Sequence, residues 1–259
     1  MVLGSFATRR RVGHMALACG LVLLCGCAGT PEGFSEESAA SLPDAPVQRH
    51  APLSEQARAA QSLAELPVRE LADPDWVAET AEVVQIPDRA LEAYAGAALR
   101  LREEHLDCGL GWNTLAGIGQ VESHHGTYGG STLAEDGTAS PPIIGIALDG
   151  GEGVAAIPDT DGGELDGDDE WDRAVGPMQF IPTTWELHAQ DGSGGQGVGS
   201  PPDPQNIDDA SLTAAVFLCE RGGEVVTDDG FAAAVGAYNR SVPYINDVAD
   251  WAERYAGSF

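Results

Sequence analysis

The stretch WNTLAGIGQVESHHG, residues 112–126, decides the fold. Leu115, Ile118 and Val121 recur at helical spacing, Asn113 or Thr114 can cap the start, and Gly126 stands where a helix stops. The pattern predicts a helix from about Asn113 to about His124, with Glu122 in its last turn. A carboxylate there feels the negative end of the helix dipole, has apolar Ile118 and Val121 beside it, and has no Lys or Arg within ten residues on either side. Each influence disfavours ionisation, the direction required of a carboxylic acid that must keep its proton near neutral pH. An ordinary solvated glutamate is the commoner occupant of such a position, and these residues alone do not choose between the two.

Two stretches further on bear on that choice: GPMQFIPTTW at 176–185 and AYNRSVPYINDV at 237–248. Together with the first they resemble the membrane-bound type B lytic murein transglycosylases. The resemblance covers roughly Asp75 to Tyr255 and rests on three motifs in order. E-S-x-x-G is met by Glu122, Ser123 and Gly126, G-x-M-Q-F-x-P by Gly176 to Pro182, and the Y-N pair by Tyr238 and Asn239. It implies a mainly α, lysozyme-like helical domain with Glu122 as its single catalytic acid. It also implies a glycan cleft lined by Ser123, Met178, Gln179, Phe180, Tyr238, Asn239 and Tyr244. On chemistry alone Gln179 has two readings, a hydrogen bond to a sugar acetamide or satisfaction of backbone groups in its own loop, and the resemblance favours the sugar.

Composition limits the partners. A chain of 259 residues, 43% hydrophobic, allows one domain of ordinary size plus extensions. The net charge of -28 argues against nucleic acid or anionic lipid as an electrostatically attracted partner, so a neutral substrate held by stacking and hydrogen bonds is expected. Solubility or a saline habitat explains the acidity equally well.

Residues 1–26 read as an export signal: Arg9, Arg10 and Arg11 form a positive start, and Met15 to Leu24 an apolar run too short to span a bilayer. The run ends LLCGC, which resembles the lipobox of bacterial lipoproteins, with Cys27 carrying the lipid after cleavage behind Gly26. The mature protein is then expected on the cell membrane, facing the cell wall, anchored without a transmembrane helix. Cys19 and Cys25 leave with the signal and Cys27 takes lipid, so Cys108 and Cys219 remain and are expected to pair in an oxidising compartment. Neither has metal-ligand spacing, and neither zinc nor any cofactor is expected. Residues 27–72, rich in Pro, Ser, Ala and Glu, read as a mostly disordered tether with a reach of roughly 35 Å.

The domain is expected over 73–259. Pro74 can start a helix bearing Trp76, Val77 and Val83; Asp88 can cap a longer one whose Leu91, Tyr94, Ala98, Leu101 and Leu106 share an apolar face. His124 and His125 are adjacent and so point two ways, unlike the i, i+4 pair of a helical zinc site. Residues 127–175, rich in Gly and Asp, read as an irregular insertion, a flap over the cleft. Within it Asp159, Asp161 and Glu170 fall at calcium-loop spacing, but Gly163 and Glu164 break the pattern where the loop must turn, and no metal is expected. Residues 206–220 and 231–238 read as Ala-rich helices, and Pro243 starts a last one whose Ile245, Val248, Ala252 and Tyr255 face inward.

The expected function is cleavage of the β-1,4 bond between N-acetylmuramic acid and N-acetylglucosamine in peptidoglycan, leaving 1,6-anhydro ends. The alternatives are a goose-type muramidase, which gives the bond to water, and a non-catalytic glycan-binding lipoprotein.

Overall fold

Eight α-helices and three single 3-10 turns hold about half of the described residues, and the strands among them are short. The computed structural model of the chain describes residues 41–151, 153–194 and 201–258. The expected export signal and the lipid-bearing Cys27 lie outside them. In chain order the helices are α1 (Glu55–Ala59), α2 (Pro74–Val84), α3 (Asp88–Glu104), α4 (Trp112–Ser123), α5 (Pro182–His188), α6 (Ile207–Gly222), α7 (Asp228–Tyr238) and α8 (Val242–Ala256). Helix α2 begins as the sequence predicts, with Pro74 in its first turn and the Asp73 carboxylate accepting the N–H groups of Asp75 and Trp76. Helix α3 stops at Glu104, so Leu106 lies past its end and is 81% exposed rather than part of the expected apolar face.

Helix α4 packs chiefly on α8 and α3, while α6 packs on α3 and α7. Leu91, Tyr94 and Leu101 of α3, Leu115 and Ile118 of α4, Leu218 of α6 and Val248 of α8 meet in one buried core. Two glycines inside α4 look costly, since each weakens a helix by roughly 1 kcal/mol relative to alanine. Packing requires them. A Cβ on Gly117 would stand 2.8 Å from the Val248 carbonyl oxygen, and one on Gly119 would stand 2.0 Å from the Tyr94 hydroxyl.

The start of α4 differs from expectation. Asn113 does not cap it from outside but lies fully buried within it. Its amide accepts the Arg49 N–H at 2.8 Å and donates to the carbonyls of Val47 and Ala252 at 3.0 Å each. The first turn is closed instead by residues 48–49: Gln48 Oε1 accepts from Gly111 N–H and the Thr114 hydroxyl, and the Arg49 carbonyl accepts from Trp112 N–H. The expected tether is therefore corrected from residue 41 onward, because these residues belong to the same compact unit as the rest of the domain. Ala51, Val68, Leu71 and Ala72 are buried in its core. Apolar side chains spaced too irregularly for a helix still find a hydrophobic surface to cover.

The insertion contains two antiparallel pairs: β1 (Thr132–Leu133) with β2 (Ala139–Ser140), and β3 (Ile144–Ala147) with β4 (Arg173–Val175). Gln205 fastens it to the base of α6, its side chain accepting the Ile143 N–H at 2.9 Å and donating to the Ile143 carbonyl at 3.0 Å. Cys108 and Cys219 form a disulfide, as expected, joining the segment before α4 to α6.

Candidate active site

Glu122 closes the last full turn of α4, partly buried, where α7 and α8 bring two phenols to it. Tyr244, in the first turn of α8, donates its hydroxyl to Glu122 Oε1 at 2.5 Å. Tyr238, the last residue of α7, lies within electrostatic reach of Glu122 and donates to the Met178 carbonyl at 2.9 Å. Tyr94 of α3 stands behind them, within reach of Tyr238.

Burial pushes the Glu122 carboxyl up to about 7, and the Tyr244 hydrogen bond, which favours the carboxylate, partly opposes that. The sequence gives the same direction but assigns part of it to the helix dipole, whereas desolvation by the packed neighbours is the leading cause. No guanidinium and no second carboxylate among the described residues contributes to its ionisation. Burial and the nearby Glu122 charge push the Tyr244 and Tyr238 phenols well above their ordinary value, so both are neutral hydrogen-bonding groups.

The helix ends in a left-handed turn. His124 and His125 both have positive φ, 51° and 59°, followed by Gly126 at 80°. This turn aims the chain back toward GPMQF. Ser123 Oγ donates to the Pro177 carbonyl at 2.6 Å and accepts the Gly126 N–H at 2.8 Å. Ser123 is 1% exposed with both bonds internal, so its position is that of a strut between α4 and the 176–182 loop rather than of a group facing the cleft.

The other residues expected at the cleft divide in two. Met178 is fully buried and offers only its carbonyl, to Tyr238. Phe180 is 3% exposed and packs between Trp185 and Tyr238 with the rings tilted and their centroids 5.4 and 5.5 Å away. Gln179 stands at φ 49° and donates its amide to the carbonyls of Gly176 at 3.0 Å and Ala174 at 3.4 Å. Those bonds are the loop-satisfying alternative left open by the sequence, while its amide oxygen accepts no hydrogen bond among the described residues. Gln179, Phe180, Thr184, Phe217 and Tyr238 line a recess of about 130 Å³. Asn239 is exposed at the α7–α8 junction and caps it by accepting the Ser241 N–H at 3.0 Å. Larger concavities of about 320 and 750 Å³ are acid-lined surface near Asp136 and share no residue with this cluster.

In the insertion, Asp159, Asp161 and Asp172 bring one carboxylate oxygen each within 4.8 Å of one another. Glu170, which the spacing placed at the end of a calcium loop, is not among them. Their oxygens accept from the loop's own groups: Asp159 from Gly162 N–H at 2.9 Å, Asp161 from Leu165 N–H at 2.9 Å, and Asp172 from Thr160 N–H at 2.9 Å.

Sequence reasoning missed two features of this region. The family resemblance makes Tyr244 a glycan contact, yet it bonds Glu122 directly, and no spacing in YNRSVPYI predicts that partner. The sequence marks His125 only as a poor metal ligand, yet it is 3% exposed and bonded at both ring nitrogens. Comparison with protein-family models, with curated proteins and with solved structures finds no match to this chain.

Proposed function

We propose that the protein is an exported, lipid-anchored lytic transglycosylase that cuts peptidoglycan between N-acetylmuramic acid and N-acetylglucosamine, on a domain of lysozyme-like type. One observation carries the reading: Glu122 is a buried carboxyl, pushed up to about 7 and joined to a neutral phenol, and no second carboxylate among the described residues shares its site. A hydrolase of the common two-carboxyl type needs a partner about 5 to 9.5 Å away to act as nucleophile or base. A lone carboxyl can serve both half-reactions if the substrate supplies the nucleophile.

In the first half-reaction Glu122, protonated, gives its proton to the glycosidic oxygen as the bond to the anomeric carbon breaks. N-acetylglucosamine leaves as an alcohol, and the acetamide of N-acetylmuramic acid can stabilise the positive centre left behind. In the second, Glu122 as carboxylate takes the proton of the 6-hydroxyl as that oxygen bonds the anomeric carbon, which closes the anhydro ring and returns the acid to its starting state. Tyr244 favours the ionised form between the steps by donating to Oε1. The recess at Gln179 and Tyr238 offers an amide oxygen and aromatic faces suited to a neutral N-acetylated sugar.

The test is mass spectrometry of the muropeptides released from purified peptidoglycan by the full chain. Products ending in 1,6-anhydro-N-acetylmuramic acid are expected. Products heavier by one water would make the protein a muramidase, and no release at all would leave a glycan-binding protein.

A further inference from the structure

The buried His125, which the reaction above does not use, sits at a junction of three helices. Its Nδ1 lies 3.3 Å from the Tyr94 hydroxyl of α3 and its Nε2 lies 3.0 Å from the Tyr255 hydroxyl of α8. Tyr255 in turn donates to Gln120 Oε1 of α4 at 3.4 Å. A phenol has one proton, so with Tyr255 donating to Gln120 its oxygen accepts from His125 Nε2–H. His125 Nδ1 is then bare and accepts from Tyr94. One neutral tautomer satisfies every group in the chain, and a second proton on the ring would set Nδ1–H against the Tyr94 hydroxyl proton.

The backbone here is held against its own preference. Two consecutive non-glycine residues in the left-handed region are disfavoured, and such conformations persist where the surroundings over-determine them. What over-determines this turn is visible: His125 N–H bonds the Gly119 carbonyl at 2.9 Å, and its ring is bonded on both sides. Helix α4 is thus attached to α8 twice near its end, through Tyr255 with His125 and Gln120, and through Tyr244 with Glu122.

We infer that His125 is a positioning residue for Glu122: with Tyr94 and Tyr255 it locks the end of α4 against α8 so that Glu122 meets the Tyr244 hydroxyl. The inference rests on Glu122 being the acid of the site. The groups that face Glu122 are Tyr244 from α8 and Tyr238 from α7. Those that face His125 are Tyr94 from α3, Tyr255 from α8 and the adjoining His124, with no carboxylate or guanidinium among them. Burial holds the imidazole down to about 3, so the lock stays neutral over the whole range in which Glu122 titrates.

The experiment compares His125→Phe, which keeps a ring but no hydrogen bonds, and the milder Tyr255→Phe in the full chain. The Glu122 carboxyl is titrated by carbon NMR, and turnover and melting temperature are measured on the same samples. Release of the lock should lengthen the Tyr244 contact, move the Glu122 titration upward and lower kcat by on the order of tenfold to a hundredfold with little change in KM. In a Tyr244→Phe background the same changes should leave the Glu122 titration where it stands, because the contact they act through is gone. A lower melting temperature with unmoved titration and kcat would make the cluster merely structural and overturn the inference, as would an undiminished shift in the Tyr244→Phe background. The NMR titration does not depend on turnover, so a fully active Glu122→Gln would sink the transglycosylase reading while the lock is still judged on its own.

Discussion

The hydroxyl of Tyr244 donates to Glu122 Oε1 at 2.5 Å, joining the first turn of α8 to the last turn of α4. The bond stabilises the carboxylate, while burial of the same group disfavours it, and burial prevails. Tyr244→Phe removes the opposing influence and leaves burial. The expected result is a Glu122 titration above about 7 and an alkaline limb of the pH–rate profile displaced to higher pH. An unmoved limb would show that the phenol does not tune the acid.

A carboxyl raised on folding from an ordinary 4.5 to about 7 binds its proton more tightly in the folded than in the unfolded chain. Stability contributed by this group is therefore complete below about 4.5 and is lost as the pH rises through about 7. Glu122→Gln removes that loss. The variant is expected to be more stable than the parent by about 1–3 kcal/mol at pH 8 and nearly equal to it at pH 4, while losing almost all turnover. Denaturant unfolding at the two pH values checks the sign, and equal differences at both would contradict the buried acid.

The Cys108–Cys219 disulfide closes a long loop, with 111 residues of sequence separation. Replacing both cysteines by serine should lower stability by about 3–5 kcal/mol in the chain-entropy picture. Chemical denaturation of the double variant measures it, and a loss below 1 kcal/mol would mean that the helices on either side hold one another without the crosslink.

Asn113 is the buried node through which residues 47–49 close the start of α4. Asn113→Ala strands the Arg49 N–H and the Val47 and Ala252 carbonyls, and the expected cost is about 2–4 kcal/mol. Removing residues 1–53 should have a comparable effect, whereas removing residues 1–40 should leave the melting temperature unchanged. Equal stability of the two truncated chains would return these residues to the role of a tether.

Gly119→Ala gains roughly 1 kcal/mol of helix propensity but drives a methyl group to within 2.0 Å of the Tyr94 oxygen. The clash should prevail, with a net loss of about 1–3 kcal/mol measured by thermal unfolding.

The helices, and the direction in which the Glu122 carboxyl is shifted, were legible in the chain because their signals are local. Apolar residues at 3.6-residue spacing define one helix face whatever lies opposite, Asp73 and Pro74 mark a helix start by their own geometry, and the absence of any cation near Glu122 can be read along the sequence. The disulfide was legible by elimination. Three things required the tertiary structure. Residues 41–72 have the composition of a tether, and only the surface offered by α3 and α6 turns their scattered Val68 and Leu71 into core. The glycines of α4 look like weakness until Tyr94 and the α8 backbone are seen against them. Which group Glu122 bonds, and why two histidines adopt left-handed conformations beside it, depends on residues more than a hundred positions away, Tyr244 and Tyr255. Periodicity and composition describe a segment against solvent; a hydrogen-bond partner is chosen by how the segments pack.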